Sequence, residues 1–195
     1  MTRSDAIKIL NENLTNKNMA KHCIASGAVM RGLAKRVLEN PSEEEVLAWE
    51  LAGLMHDADA EKSSQERQGA VVGEWFQEGG KYEGQLSEKY RDQIIHAMAS
   101  HNEMTGAQCE LPMDWALYSS EKLTGLIVAT ALVLPSKKLS DVTPGMVMRR
   151  FKEKSFAKGA SRENIKQGTK LGLSLEEFLE VCLKSMQEIS HELGL

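Results

Sequence analysis

The chain has 195 residues and carries 24 Lys and Arg against 28 Asp and Glu, a formal charge of −4 with neutral histidines. That length suits one domain with a proper core and is short for two enzyme domains. Without a basic excess, a nucleic-acid binder reliant on phosphate contacts is disfavoured. Cys23, Cys109 and Cys182 are far apart and form no Cys-x-x-Cys pair. They indicate neither a disulfide framework nor a zinc knuckle, and a reducing cytoplasm is the expected compartment. The polar start Met1-Thr2-Arg3-Ser4-Asp5 lacks the apolar stretch of a secretory signal. The longest apolar run, Leu126 to Leu134, is far shorter than the roughly 20 residues of a membrane span. We therefore expect no membrane and no nucleic-acid partner. Ten methionines and three tryptophans could fill a core or line an interface, which leaves a homodimer open.

Of the acidic residues, 22 are Glu and 6 are Asp, a bias that favours helix interiors over caps and turns. In chain order, helices are expected near 4–13, 17–39, 43–57, 64–78, 88–101, 113–134, 144–155, 162–171 and 175–193. Ser42-x-x-Glu45, Ser63-x-x-Glu66 and Ser174-x-x-Glu177 have capping-box form. Pro144 suits a first helical position, and Gly79-Gly80, Pro135 and Gly194 are placed to stop helices. No alternating run of strand length competes. The expected fold is all-α, one domain over 1–195 with about eight to nine helices. Its core spans about 17–134, and the C-terminal helices 144–193 pack on it, the last two as an appendage.

Few residues are placed where their chemistry is costly. On the 17–39 helix His22 lies at the edge of the stripe Met19, Cys23, Met30, Leu33 and Val37, hence inward; taken alone it reads most simply as a satisfied core histidine. The apolar helix from Glu43 runs into His56-Asp57-Ala58-Asp59, and a carboxylate buried there needs a cation, a metal or several donors. Glu121 shares a helix face with Leu117, Gly125, Val128 and Leu132, so its carboxylate needs a partner if buried; a surface position or an ion pair with Arg or Lys are the alternatives. His101 falls on the inward side with Tyr90, Ile94 and Met98, whereas His96 and His191 fall outward. His22, His56, Asp57 and Glu121 together make a mixed nitrogen and oxygen set suited to one divalent ion, Mn, Fe, Ni, Zn or Mg.

An early His on a helix, a His-Asp pair ending a buried helix and a late carboxylate resemble the HD-domain superfamily of metal-dependent phosphohydrolases. The likeness extends through Lys21-His22-Cys23-Ile24-Ala25-Ser26-Gly27-Ala28-Val29-Met30-Arg31, Leu51-Ala52-Gly53-Leu54-Met55-His56-Asp57-Ala58-Asp59, Ser100-His101-Asn102-Glu103 and Glu121-Lys122-Leu123-Thr124-Gly125-Leu126-Ile127. Phe151 to Ala157 and Ser161-Arg162-Glu163 continue it, so it covers about residues 17–193 and is similar to a small bacterial HD hydrolase subgroup. The resemblance implies an HD-type helical bundle with His22, His56, Asp57 and Glu121 as metal ligands. It also implies hydrolysis of a small phosphorylated substrate, a nucleotide or related phosphomonoester, by a metal-activated water. Two positions depart from the pattern. The last ligand is normally Asp, and the extra methylene of Glu121 shifts its oxygen by about 1.5 Å. Members with two metals place a His before the Gly at Gln68-Gly69, and a carboxamide binds divalent metals poorly.

A single metal site is therefore expected, with Gln68, His101 and Lys122 left for a second site or for substrate contact. Asp59 is the candidate catalytic base or orienting group, with helix capping or a surface position as alternatives. Lys62 and Lys122 are candidates to meet phosphate. The alternative function is a catalytically degenerate HD-fold protein that binds a nucleotide or a protein partner. A purely structural bundle would leave His22 more than about 6 Å from His56, beyond sharing an ion.

Overall fold

Side-chain caps start most of the helices. Thr2 and Asp5 form a reciprocal capping box on α1 (Arg3–Asn13), the Asn16 side chain accepts from two amides at the start of α2 (Lys17–Val37), and Ser42 caps α3 (Glu43–Met55). A short α4 (Ala70–Glu74), then α5 (Arg91–Ser100) and α6 (Pro112–Leu132) follow. Thr143 caps α7 (Pro144–Lys152), whose Pro144 sits in the first turn, and Ser161 caps α8 (Arg162–Lys166), which tightens into a 3-10 turn over Gln167–Leu171. Ser174 and Glu177 form a full capping box on α9 (Leu175–Glu188), and α10 (Ser190–Leu193) stops at Gly194 in the left-handed conformation. The computed structural model describes residues 1–195; it contains no strand, and no helix is long and apolar enough to cross a membrane.

α2 and α3 cross where their backbones meet. A Cβ on Gly53 would lie 2.6 Å from the Ser26 carbonyl oxygen and 2.8 Å from the Gly27 nitrogen, and one on Gly27 would lie 2.6 Å from Leu54 Cγ. Neither side chain could be larger than hydrogen. α9 lies across α2 at Gly32, where a Cβ would fall 2.0 Å from Ser185 Oγ. α6 runs through the middle and touches α2, α5, α7, α8 and α9. One continuous core results, reaching from Leu10 on α1 through Met30, Leu54, Met98 and Leu123 to Phe178 on α9. The last helices are thus part of that core and not an appendage to it.

The expected helix over 64–78 is largely absent: residues 57–69 run in turns and only Ala70–Glu74 is helical. Ser63 does not cap Glu66; its hydroxyl donates to the Asp59 carbonyl. The helix is interrupted by Gly69, which has φ 87° and whose Cβ, if present, would sit 2.1 Å from the Met98 carbonyl oxygen. Between α7 and α8, residues 153–161 form a tight loop gathered by Arg162, whose guanidinium donates to the carbonyls of Arg150, Phe151, Glu153, Phe156, Ala157 and Ala160. That one side chain satisfies the orphaned carbonyls at the end of α7 and fixes the loop.

Two glycine substitutions should separate crowding from helix propensity. Gly53→Ala is expected to destabilise the protein by about 2 kcal/mol or more, since the new methyl meets backbone that cannot swing aside. Gly125→Ala on α6, where a Cβ meets nothing within 4 Å, should stabilise by up to about 1 kcal/mol. Urea unfolding of both variants checks this, and a Gly53→Ala protein as stable as the parent would contradict the crossing.

Candidate metal centre

Three histidines converge from three helices, and each has its outer nitrogen tied to the scaffold. His56 follows the last turn of α3, and its Nδ1 donates to the Gly53 carbonyl at 2.8 Å. His101 occupies the same place after α5, and its Nδ1 donates to the Met98 carbonyl at 2.6 Å. His22 Nδ1 lies 3.1 Å from Thr124 Oγ1, and that hydroxyl gives its own proton to the Glu121 carbonyl at 2.7 Å. The Thr124 oxygen is thereby left to accept from His22. All three rings are fixed with the proton on Nδ1 and Nε2 turned inward, the arrangement that orients imidazoles toward a metal.

The inward atoms form a tight set. His22 Nε2 and His56 Nε2 are 3.2 Å apart, and Asp57 Oδ2 lies 3.4 Å from His56 Nε2 and 3.7 Å from His22 Nε2. Two imidazole lone pairs facing each other this closely repel unless a cation, proton or metal, lies between them. The three distances place a central point about 2 Å from each donor, the bond length of first-row divalent ions to imidazole or carboxylate. His22, His56 and Asp57 therefore fit a divalent ion.

Glu121 adjoins this set without closing it. It is 5% exposed, its Oε2 is 3.9 Å from His22 Nε2, and it lies outside the cluster of mutually close ligand atoms. Its Oε1 is 2.5 Å from Lys122 Nζ, an ion contact whose angles do not make a hydrogen bond, so this buried oxygen has charge compensation but accepts no proton. Both the ion-pair alternative and a place beside the metal cluster are realised at once.

Gln68 and His101, left for a second site or for substrate contact, lie against the other oxygen of Asp57. Asp57 Oδ1 accepts from Gln68 Nε2 at 2.6 Å and lies 3.2 Å from His101 Nε2. The Gln68 carboxamide thus gives a proton to the Asp57 oxygen opposite the one near His22 and His56. Asp59 is wholly buried, and its carboxylate accepts from the amides of Gly69, at 3.1 and 3.0 Å, and Val72, at 3.1 Å. It caps the turn entering α4, which was one of its alternatives, and lacks the open position a general base needs. Lys62 points away from the site and donates to Asn13 Oδ1 at 2.6 Å. His96 is half-buried rather than outward, its Nδ1 3.0 Å from the buried Asp114 carboxylate, which also caps the start of α6.

Two clefts meet at Asp57, Glu121 and Lys122. One, of about 470 Å³, runs past Gln68 and His101 toward Glu103, Ser161 and Asn164; the other, of about 580 Å³, runs past His22 to Lys158 on the loop held by Arg162. The sequence reading missed Thr124, Lys158, Asn164 and the organising role of Arg162. Thr124 lies one turn beyond Glu121, a spacing that carries no signal until His22 is known to pack there. The others lie in the C-terminal third, whose approach to the site is a tertiary fact.

The electrostatics suit one positive charge between the rings. Burial pushes the His22 imidazole down to about 4, and the charge of His56 adds to this. Burial also lowers His56, but the adjacent Asp57 carboxylate outweighs it and leaves the ring above its ordinary value. Burial opposes ionisation of Asp57, yet His56 and His101 hold its carboxyl well below the usual range. Without metal, the adjacent carboxylate thus favours a proton on His56, and burial beside it resists a second on His22. Between pH about 6.5 and about 4 the unfolded chain protonates this residue and the folded protein does not, so stability falls as pH drops through that window. Urea unfolding of the metal-free protein across it should show the loss; a flat profile would contradict it. Replacing the blocking carboxamide, Gln68→His, should raise bound divalent ion from one to two per chain in a metal analysis, and an unchanged stoichiometry would show that Gln68 is not what excludes the second ion. Among known proteins, no family model, no curated protein and no solved structure matches this chain.

Proposed function

We propose that the protein is an HD-type metal-dependent hydrolase of phosphate monoesters, with a small nucleotide or related phosphomonoester as its substrate class. The observation that carries the reading is the convergence of His22 Nε2, His56 Nε2 and Asp57 Oδ2, each held by its own scaffold contact, at separations of 3.2 to 3.7 Å beside two clefts. These residues would hold one divalent ion of the Mn, Fe, Ni, Zn or Mg group, with Glu121 at its edge. Bound there, such an ion polarises a phosphate oxygen and lowers the pKa of water into the neutral range.

The chain's own groups do the rest. Thr124 and the carbonyls of Gly53 and Met98 keep the imidazoles in the ligating tautomer. Gln68 holds the far oxygen of Asp57, so the carboxylate cannot rotate away from His22 and His56. Lys122 and Lys158, at the two cleft walls, face incoming phosphate charge. In the reaction a water oxygen bonds to phosphorus, and the ester P–O bond breaks with its electron pair to the leaving oxygen. One proton of the water ends on that oxygen and the other stays with inorganic phosphate.

The second reading, a degenerate HD-fold protein that binds a nucleotide or protein partner without turnover, is favoured by Gln68 on Asp57 and by Lys122 on Glu121. Metal analysis followed by a phosphoester screen with Mn²⁺, Ni²⁺ or Mg²⁺ separates the two. Turnover that requires the ion supports hydrolysis; a bound ion with no turnover supports the binding reading. Asp57→Ala should lose both ion and activity, by about a thousandfold or more in kcat if water activation depends on the site. An active, metal-free Asp57→Ala protein would overturn the mechanism.

A further inference from the structure

We infer that the phosphomonoester cleaved here is a phosphorylated sugar or polyol, and that the cleft walled by Gln65, Glu103, Ser161 and Asn164 binds its hydroxyl groups and takes no nucleobase. This rests on the phosphohydrolase reading and narrows it. The cleft starts at Asp57 and ends at α8, and of its eleven lining residues Met104 alone is hydrophobic. Its walls are carboxamides, a hydroxyl, carboxylates and the Lys122 ammonium, and the one flat ring, His101, is only 5% exposed, with Nδ1 on the Met98 carbonyl and Nε2 beside Asp57, so almost none of it is open to stacking. A nucleobase is held by stacking on flat apolar or aromatic faces with hydrogen bonds at its edges, and this cleft offers polar edges without the faces.

Trp115 and Tyr118 line a separate cleft that shares Glu103 with this one. The wall between is tied together. Tyr118 Oη donates to Glu103 Oε1, and Asn164 Nδ2 donates to the same oxygen at 3.2 Å. Ser161 Oγ in turn donates to Asn164 Oδ1 at 2.6 Å. The Trp115 ring also has the Lys170 ammonium 3.3 Å from its centroid, so one of its faces is taken. A base could reach these rings only by breaking the chain of bonds through Glu103.

That same chain leaves acceptors turned to the pocket. Glu103 Oε2 accepts from no protein donor, Ser161 Oγ has spent its proton on Asn164 Oδ1 and one lone pair on the Asn164 amide that it caps, and the Gln65 carboxamide has no side-chain partner. Fixed acceptors beside a free carboxamide match a run of hydroxyls, each both donor and acceptor. Charge bears on the number of phosphates. Lys122 and Lys158 are the cations lining the two clefts, against Asp57, Glu103 and Glu121. With a divalent ion they exceed the carboxylates by one charge, which suits a single phosphate and not a polyphosphate chain.

Ribose 5-phosphate and adenosine 5′-monophosphate test this directly, because the second is the first with adenine added. With Mn²⁺-loaded protein, kcat/KM should be at least about tenfold higher for ribose 5-phosphate; equal or better turnover of the nucleotide overturns the inference and leaves the phosphohydrolase reading standing. If the loaded protein hydrolyses neither compound nor p-nitrophenyl phosphate, the phosphohydrolase reading falls and this inference with it. Glu103→Gln and Asn164→Ala, with metal content checked, should lower kcat/KM for ribose 5-phosphate about tenfold more than for p-nitrophenyl phosphate, which has no hydroxyls. Equal losses on both would show that these residues do not bind hydroxyls.

Discussion

The backbone contact of α2 with α3 at Gly27 and Gly53 sets the position of everything at the centre of this protein. His22 precedes the crossing on one helix and His56 follows it on the other. With the Gly53 Cβ position 2.6 Å from the Ser26 carbonyl oxygen, any side chain there would push apart the two helices that carry His22 and His56, whose Nε2 atoms lie 3.2 Å apart. Gly53 also supplies the carbonyl that fixes the His56 tautomer, so one residue controls both the distance and the protonation pattern of the pair. A scaffold that locks donors from several helices to within a fraction of an ångström is what a metal centre requires.

Around that crossing the polar groups divide Asp57 between two duties. One oxygen faces His22 and His56; the other is held by Gln68 next to His101. A carboxylate so placed in a buried site must see positive charge on its first oxygen, and a proton on His56 or a divalent ion supplies it. Its second oxygen already takes the Gln68 amide proton beside His101, which leaves the first oxygen as the one turned to His22 and His56. Asp59, so close in sequence, spends its charge on the amides of Gly69 and Val72 and braces the turn that carries Gln68.

Much of this was legible in the chain. The helices with clear caps, at Ser42, Thr143 and Ser174, begin where the residues say they do, because capping is local chemistry. His22, His56 and Asp57 were recognisable as polar groups on buried faces. The stretch 64–78 was not legible as turn, because its interruption depends on Gly69 lying against the Met98 carbonyl, a contact between distant segments. For the same reason the loop of Lys158 and the wall of Glu103 and Asn164 gave no signal: Arg162 and Tyr118 organise them through tertiary bonds. Glu121 illustrates the remaining ambiguity, since its helix face predicted burial correctly but not that Lys122, its immediate neighbour, would bend back to pair with it.

The central claim is that one divalent ion belongs between His22, His56 and Asp57. Crystals grown with Mn²⁺ or Zn²⁺ and measured for anomalous scattering test it most directly. The account predicts one strong peak per chain, about 2 Å from His22 Nε2, His56 Nε2 and Asp57 Oδ2, with Gln68 still bonded to the other Asp57 oxygen. No peak at saturating ion, with the two imidazoles still 3.2 Å apart and sharing a proton, would contradict it.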